Sequence, residues 1–207
     1  MNFVRQNNYI LNMEKLLTSI DYFSQLLSLE QILSYGYEFF HETLGLKASA
    51  IFYLEDKTYK LVNEIGYCDD LKFKSYNKTE KVNNIATRYG RILYDDFLKY
   101  FDEEFIDYFS PELIIPLIVK DNLFGFILSN GFINEHNLYV DTYSMEYLEG
   151  MKTLLNSTLS NTLIYRDYKN LSNKMDREIF SQCSTNQTSR FLLGETNIIN
   201  LHELCID

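Results

Sequence analysis

Residues 112–130 have the sequence ELIIPLIVKDNLFGFILSN, in which Lys120, Asp121 and Asn122 interrupt two strongly apolar runs. Each run has the length and composition of a β-strand. A connection this short joins strands that run in opposite directions, because parallel strands need a crossover of a dozen or more residues. The stretch therefore predicts an antiparallel β-hairpin.

A second hairpin is predicted upstream. Segments 47–54 (KASAIFYL) and 59–66 (YKLVNEIG) are β-rich and are separated by the polar turn Glu55-Asp56-Lys57-Thr58. The residues between the two hairpins contain weakly helical segments at about 81–89 and 95–109, which flank a short predicted strand at 91–94. Long excursions of this kind often build binding sites.

Helices are predicted on both sides of the hairpins. Between Tyr9 and Leu27 one helical stripe holds the apolar residues Ile10, Met13, Leu17, Ile20 and Leu27. Ser28 is expected to cap a second helix, which Gly45 ends. A long helix follows from Asp141 to about Phe180, with the apolar series Leu148, Met151, Leu155, Leu159, Ile164, Tyr168, Leu171, Met175 and Ile179. The second half of the series steps by four, three, four and four, close to a heptad, so this helix is expected to pair with another helix.

The C-terminal residues 189–207 (SRFLLGETNIINLHELCID) are similar in texture to residues 24–40 (SQLLSLEQILSYGYEFF). Both have Leu-Leu, a small or acidic capping stretch, and then apolar residues at helical spacing. One interpretation is that a second copy of the same module starts here. The alternative is chance, because any two amphipathic helix starts share this chemistry.

Composition limits the class of protein. The chain has 207 residues, of which 46% are hydrophobic and 15% aromatic, enough for one domain of roughly 150 residues with helical extensions. The formal net charge is -10 with Lys and Arg dispersed, which argues against a nucleic-acid partner. The longest apolar runs are of strand length and no signal-peptide core follows Arg5, so we expect a cytoplasmic protein without membrane insertion.

Cysteine and histidine spacing disfavours metal, haem and disulfide chemistry. Cys68, Cys183 and Cys205 are widely spaced and form no Cys-x-x-Cys pair, so reduced thiols are expected. His41, His136 and His202 are equally scattered. Acidic neighbours Asp69 and Asp70 should raise the pKa of the Cys68 thiol, which predicts an unreactive side chain.

Four segments together resemble the GAF domain family over roughly residues 20–180. ASAIFYLED at 48–56 looks like its first core strand and acidic turn. NNIATRYGRILYDDF at 83–97 looks like its helix, glycine turn, short strand and acidic loop, with matching residues Ala86, Gly90, Ile92 and Asp95. The 112–130 stretch is similar to its strand with a proline and its Gly-initiated strand, through Pro116 and Gly125, and 139–163 looks like the closing helix.

The resemblance implies an α+β fold. It has a GAF-like antiparallel β-sheet with N- and C-terminal helices on one face, a ligand pocket on the other, and a long C-terminal signalling helix. The implied organisation is an N-terminal amphipathic helix at 1–27, a GAF-like sensory domain at 28–163, a C-terminal linker helix at 164–188, and the possible start of a second similar module at 189–207.

Positions that match the family's pocket define the candidate ligand-binding residues, which are Ala50, Ile65, Val82, Asn83, Tyr100 and Glu104. The alternative is that the apolar members fill the core. A cyclic GMP site is disfavoured, because Gly131 follows Asn130 where cyclic-nucleotide-binding members have a lysine. Residues 81–84 (KVNN) replace glycines that usually approach the ligand, so the ligand and any cofactor remain unidentified.

The function that the resemblance implies is that of a non-catalytic sensor. A small molecule or partner would bind, and a parallel homodimer through the terminal helices would pass the signal to an effector of a bacterial protein, such as a diguanylate cyclase or histidine kinase. No nucleophile elbow, phosphate loop or kinase motif is present in the sequence. Two alternatives stay open: a stand-alone redox enzyme that uses Cys68, similar to free methionine sulfoxide reductase, and a purely structural dimerisation module.

Overall fold

The structure, a computed structural model, describes the backbone of residues 2–25, 28–67, 73–85, 97–133 and 142–203. Side chains are described in 13–25, 28–67, 73–85, 97–133 and 146–179. The chain divides into two units, Met1–Leu163 and Ile164–Asp207.

The terminal helices and the two hairpins follow the predicted order, whereas the sequence does not predict the short strand Ser75–Asn77. The elements are α1 (Asn2–Ser24), α2 (Leu29–Gln31), a π-helical turn (Ile32–Gly36), α3 (Tyr37–Leu44), β1 (Ser49–Glu55), β2 (Thr58–Ile65), β3 (Ser75–Asn77), α4 (Glu80–Asn83), a 3-10 turn (Phe97–Lys99), α5 (Glu103–Phe109), β4 (Leu113–Val119), β5 (Asn122–Ser129) and α6 (Thr142–Glu203). The described strands form an antiparallel sheet in the order β3-β2-β1-β5-β4. This confirms the predicted fold class. The predicted strand at 91–94 lies outside the described residues.

Local signals place the helix ends where the sequence predicts them. The Ser28 hydroxyl accepts a hydrogen bond from the Gln31 backbone N–H at 3.2 Å, and the Gln31 side chain accepts one from the Ser28 N–H at 2.8 Å. This reciprocal pair is a capping box. At the other end, Gly45 adopts the left-handed conformation (φ 64°) that terminates a helix. The second predicted helix is therefore confirmed, with a π-helical turn within it.

The turn of the second hairpin follows from backbone geometry. Lys120 (φ 50°) and Asp121 (φ 62°) are both left-handed, as in the two-residue turns whose twist matches that of paired strands. Next to it, Gly125 lets β5 approach β1 closely, since a Cβ at this position would lie 2.3 Å from the Phe52 carbonyl oxygen. A side chain at position 125 would therefore separate the two central strands.

Helices α1, α3 and α6 cover one face of the sheet. We call the buried residues on this face the helix-side cluster; its members are Phe23, Ile32, Leu33, Tyr37, Phe40, Leu46, Ile51, Leu113, Ile115, Leu117, Val119, Ile127 and, from α6, Leu148, Met151, Leu155, Leu159 and Leu163. Helices α1 and α6 pack in parallel, because the Thr158 hydroxyl donates to the Phe23 carbonyl at 3.4 Å and a Cβ on Gly150 would lie 3.6 Å from Leu16. Ser19 and Phe23 of α1 are buried.

The apolar stripe predicted on the first helix is directed to solvent where its side chains are described. Met13, Leu17 and Ile20 are 40%, 59% and 43% exposed. The side chains of Ile10 and Leu27 lie outside the described residues. The stripe therefore does not form the contact between α1 and the sheet, which Phe23 provides instead.

Strand β4 is an edge strand whose outer polar groups are partly satisfied by a side chain of α6. The Asn156 side-chain oxygen accepts from the Ile118 N–H at 3.2 Å, and its amide nitrogen donates to the Pro116 carbonyl at 3.3 Å. Pro116 itself has no N–H to leave unpaired. The contact fixes α6 beside a β-bulge between Leu117 and Ile118.

The C-terminal unit, Ile164–Asp207, is helical to Glu203, so α6 continues beyond the predicted end near Phe180. Helix α6 has 62 residues, which include part of the segment predicted as the possible start of a second module. Among the described residues, no helix is both long and apolar enough to cross a membrane.

We predict that Asn156→Leu lowers the free energy of unfolding by about 1–3 kcal/mol, because it leaves the Ile118 N–H and the Pro116 carbonyl without their partner. Urea unfolding followed by circular dichroism measures the loss. The matched control Asn161→Leu, at an exposed position of the same helix, should change stability by about 0.5 kcal/mol or less. Equal effects of the two substitutions would contradict this role for Asn156.

Candidate functional site

The second face of the sheet, where the resemblance places a ligand pocket, is packed with large side chains. We call this buried set the aromatic cluster; its members are Ala50, Phe52, Tyr59, Tyr76, Val82, Ile85, Tyr100, Phe101, Phe105, Phe109, Ile114, Leu123, Phe126 and Leu128. Residues of α4 and α5 lie over the strand residues. The cluster is therefore a second hydrophobic core.

Helix α5 and the residues just before it contribute three rings at helical spacing. Phe105 stacks on Phe101 with ring centroids 4.9 Å apart, and lies 4.8 Å from the ring of Phe109. Beneath them, Phe52 of β1 stacks on Phe126 of β5 at 5.2 Å. Such pairs contribute roughly 0.5–1.5 kcal/mol each beyond the burial of their area. These rings occupy the centre of the face that the resemblance assigns to a ligand.

Two tyrosine hydroxyls fix the ends of α5. The Tyr76 hydroxyl donates to the Asp102 carboxylate at 3.0 Å and accepts from the Asp102 backbone N–H at 3.2 Å. The Tyr67 hydroxyl donates to the Phe109 carbonyl at 3.1 Å. Burial, with the hydrogen bond to Asp102, raises the pKa of Tyr76 to about 12, so this hydroxyl stays protonated. Burial also raises the pKa of Tyr67, so both hydroxyls keep their protons across the physiological pH range.

The structure brings together three of the six predicted site residues. Ala50, Val82 and Tyr100 are buried within the aromatic cluster. Asn83 and Glu104 are exposed. Ile65 packs against the helix-side cluster, on the other face of the sheet.

A β-bulge in β2 explains the position of Ile65. Leu61 pairs with Phe52 while Asn63 pairs with Ile51, so Val62 is an extra residue between the two pairs. An extra residue reverses the alternation of faces along the rest of the strand. Glu64, the partner of Ala50, therefore lies on the aromatic face in place of Ile65.

Glu64 is thus a residue of this face that the sequence reasoning missed. It is partly buried, and its carboxylate accepts a hydrogen bond from the Tyr67 backbone N–H at 3.2 Å. Nothing in the segment YKLVNEIG marks Val62 as a bulge, and a strict period of two assigns Glu64 to the opposite face. The observed contact gives Glu64 a structural role, which is to close the turn that follows β2.

Metal ligands do not converge anywhere in the part of the chain that the structure describes: no group of three or more His, Cys, Asp or Glu side chains could hold an ion. His41 is buried and hydrogen-bonded to Ser49. Cys68, His136 and Cys205 lie outside the described residues, as do the side chains of Cys183 and His202.

No sequence-family model matches the chain, and a search of curated proteins finds no match. Solved structures do match. The GAF domain of a phosphoenolpyruvate-protein phosphotransferase from Coxiella burnetii is 16% identical, with a TM-score of 0.55 over 77% of this chain and 99% of that one. The GAF domain of the Acinetobacter phosphoenolpyruvate-protein phosphotransferase is 14% identical, with a TM-score of 0.53 over 74% and 95%.

An enzyme is among the similar structures. Free methionine-R-sulfoxide reductase from Neisseria meningitidis, solved in complex with its substrate, is 11% identical, with a TM-score of 0.53 over 76% of this chain and 93% of that one. The likeness to the two GAF domains shows that the chain has the fold of a GAF domain. Identities this low establish the fold alone, since one fold serves sensors and enzymes alike.

We predict that Phe105→Ala lowers the free energy of unfolding by about 3–5 kcal/mol, because it opens a cavity among rings that are fully packed. Denaturant unfolding measures the change, and Glu103→Ala, at an exposed position on the same helix, is the control. A loss below about 1.5 kcal/mol would contradict close packing around Phe105.

Proposed function

We propose that the chain is a non-catalytic regulatory domain with the GAF fold, which forms a homodimer through its terminal helices and transmits a signal along them to an effector domain. The observation that carries this proposal is an exposed apolar stripe on α6. We define the α6 stripe as Ile164, Tyr168, Leu171, Met175 and Ile179.

The α6 stripe has the geometry of a helix-pairing surface. Its five side chains are 50–70% exposed. At about 100° per residue, the steps of four, three, four and four keep all of them on one face of the helix. Charged residues such as Arg166 and Lys174 lie elsewhere around the same segment. Contiguous exposed apolar surface of this kind commonly marks a protein–protein contact.

The stripe is not a continuation of the series that precedes it. Ile164 is nine residues after Leu155, which corresponds to about two and a half turns of helix. By its spacing in the sequence, Ile164 is therefore out of phase with the series to which Leu155 and Leu159 belong. A change of phase within one helix is expected where its apolar partner changes.

The energetics favour association of two such stripes. Full burial of one large apolar side chain contributes roughly 1.5–3 kcal/mol, and each protomer offers five. This gain opposes the loss of translational and rotational freedom, about 4–15 kcal/mol, and the ordering of side chains, about 0.5–1.5 kcal/mol for each one immobilised. A parallel arrangement would carry a change in the domain to an effector joined at the C-terminal side, such as a diguanylate cyclase or histidine kinase in a bacterial protein.

For the input, the packing supports a partner or the dimer itself over a small molecule. Ala50, Val82 and Tyr100 already contact neighbours within the aromatic cluster. A small molecule at the predicted site would have to displace one of the rings of the aromatic cluster or lie near the exposed side chains of Asn83 and Glu104. The hypothesis of a regulatory domain and that of a dimerisation module thus share one mechanism, in which two packing states of the helices differ in free energy.

We predict that the wild-type chain is a dimer at tens of micromolar and that the double variant Leu171→Glu, Met175→Glu is a monomer, because four like charges would meet in the interface. Light scattering measures the mass. The control Asn170→Glu, Asn173→Glu adds the same charge on the opposite side of the helix and should leave the dimer intact. A monomeric wild type would refute the proposal, and an unchanged dimer in the first variant would move the interface to α1.

The second candidate is a redox enzyme, which the structural likeness to methionine-R-sulfoxide reductase favours. We predict that the purified chain does not reduce free methionine-R-sulfoxide in the presence of a thiol reductant. Activity above that of a heat-denatured control, if it were lost in Cys68→Ser and kept in Cys183→Ser, would establish the enzyme and overturn the non-catalytic proposal.

A further inference from the structure

Three buried polar side chains meet on the helix side of the sheet, away from the aromatic cluster. Tyr37 and His41 lie one turn apart on α3, and Ser49 begins β1. Their exposed fractions are 0%, 7% and 0%. The Ser49 hydroxyl oxygen lies 2.7 Å from the Tyr37 hydroxyl and 2.8 Å from Nδ1 of His41.

The two contacts of this trio account for both hydroxyl protons when His41 is neutral. If Nδ1 carries no proton, the Ser49 hydroxyl donates to it, and the Tyr37 hydroxyl donates to Ser49. Each hydroxyl proton then has an acceptor. The other ring nitrogen, Nε2, carries the proton of the neutral imidazole.

Protonation of His41 breaks this arrangement. The Nδ1–H group must then donate to the Ser49 hydroxyl oxygen. The contact between the Ser49 and Tyr37 hydroxyls has room for one proton only, which comes either from Ser49 or from Tyr37. One buried hydroxyl proton is left without an acceptor within the trio. A buried unsatisfied donor destabilises the folded state, and the imidazolium also loses solvation there. Consistent with this, burial lowers the pKa of His41, and the carboxylate of Glu42 opposes the shift.

The charged groups around the trio are acidic. Glu42 acts on His41 from the same helix. Glu38 of α3, and Glu64 and Tyr67 from the end of β2 and the turn after it, act on Tyr37. Burial is the first cause of the pKa shift at both residues. The carboxylates of Glu38 and Glu64 add to the shift at Tyr37, whereas at His41 the carboxylate of Glu42 opposes the shift without cancelling it.

The trio lies beside two segments that are hydrogen-bonded to each other, residues 45–47 before β1 and residues 131–133 after β5, which we call the corner. The Leu46 N–H donates to the His41 carbonyl at 3.1 Å, and the Lys47 N–H donates to Gly131 at 2.9 Å. The Ile133 N–H donates to Gly45 at 2.8 Å. Residues 131–133 are the last described residues before α6. One hydrogen bond, from the Leu46 N–H to the His41 carbonyl, thus joins His41 to this corner.

We propose that Tyr37, His41 and Ser49 form a proton-sensitive latch, which is closed when His41 is neutral and which loosens the corner of 45–47 and 131–133 when His41 is protonated. The proton is the ligand of this site. The free histidine titrates near 6.5, so the unfolded or opened chain binds the proton more readily than the closed latch does. Stability of the corner is therefore complete above about pH 6.5 and falls as the pH decreases below that value.

The test uses the full chain with His136→Asn and His202→Asn, so that His41 is the one remaining histidine. Nitrogen-15 NMR should show the Nε2–H tautomer at pH 7.5. Amide hydrogen exchange, corrected for its intrinsic pH dependence, should show opening of Leu46, Lys47 and Ile133 that rises by up to about tenfold per pH unit below 6.5. Ile127, in the centre of the sheet, should respond less.

The control His41→Asn places an uncharged acceptor near the position of Nδ1, and the corner should then open to the same extent at every pH. An Nδ1–H tautomer in the parent protein, or the same pH response in His41→Asn, would refute the latch. An equal response of Ile127 would show global unfolding and refute it as well. If His41→Asn does not fold, the tautomer and the comparison with Ile127 still decide.

Discussion

The close pairing of β1 with β5 is the constraint on which the rest of this structure depends. Gly125 has no Cβ, and the Phe52 carbonyl occupies the space that a Cβ would take. The two strands can therefore lie side by side at the centre of the sheet, with β2 and β4 on their flanks. Once they pair in this register, alternate residues project to opposite faces, and both faces must be covered. The helices cover one face, and α4 and α5 cover the other.

The two faces are covered in different ways, and this difference bears on function. On the helix side, the contacts include hydrogen bonds from Asn156 to β4 and from His41 to Ser49. A hydrogen-bonded polar group has few satisfied arrangements, so these contacts add a dependence on direction to the packing of the helices. On the aromatic side, rings fill the described space and tyrosine hydroxyls hold α5 at both ends. The helix side is therefore the better place for a two-state response, and it includes the start of the helix that carries the α6 stripe.

The candidate site shows which positions residue patterns predict correctly and which they do not. The resemblance assigned Ala50 and Val82 to the second face by matching position, and the structure agrees, because Ala50 lies in a regularly alternating part of β1 and Val82 in a helical turn capped by Thr79. Ile65 could not be assigned in this way, because one extra residue at Val62 reverses the faces of everything that follows in β2. The position of a bulge depends on how β1 and β2 fit together over the core. Sequence spacing within a single strand does not contain that information.

The sequence by itself determined the hairpins, the helix caps, the antiparallel α+β fold and the face of α6 that is apolar, because turns, caps and periodicity act between residues that are near neighbours in the chain. The tertiary structure decided that Phe23 and not the predicted apolar stripe of α1 packs towards the sheet, that the second face is filled with rings, and that Ser49 joins Tyr37 and His41. Each of these outcomes depends on volumes and hydrogen-bond partners from distant segments. Such groups become neighbours only when the strands have paired and the helices have packed on them.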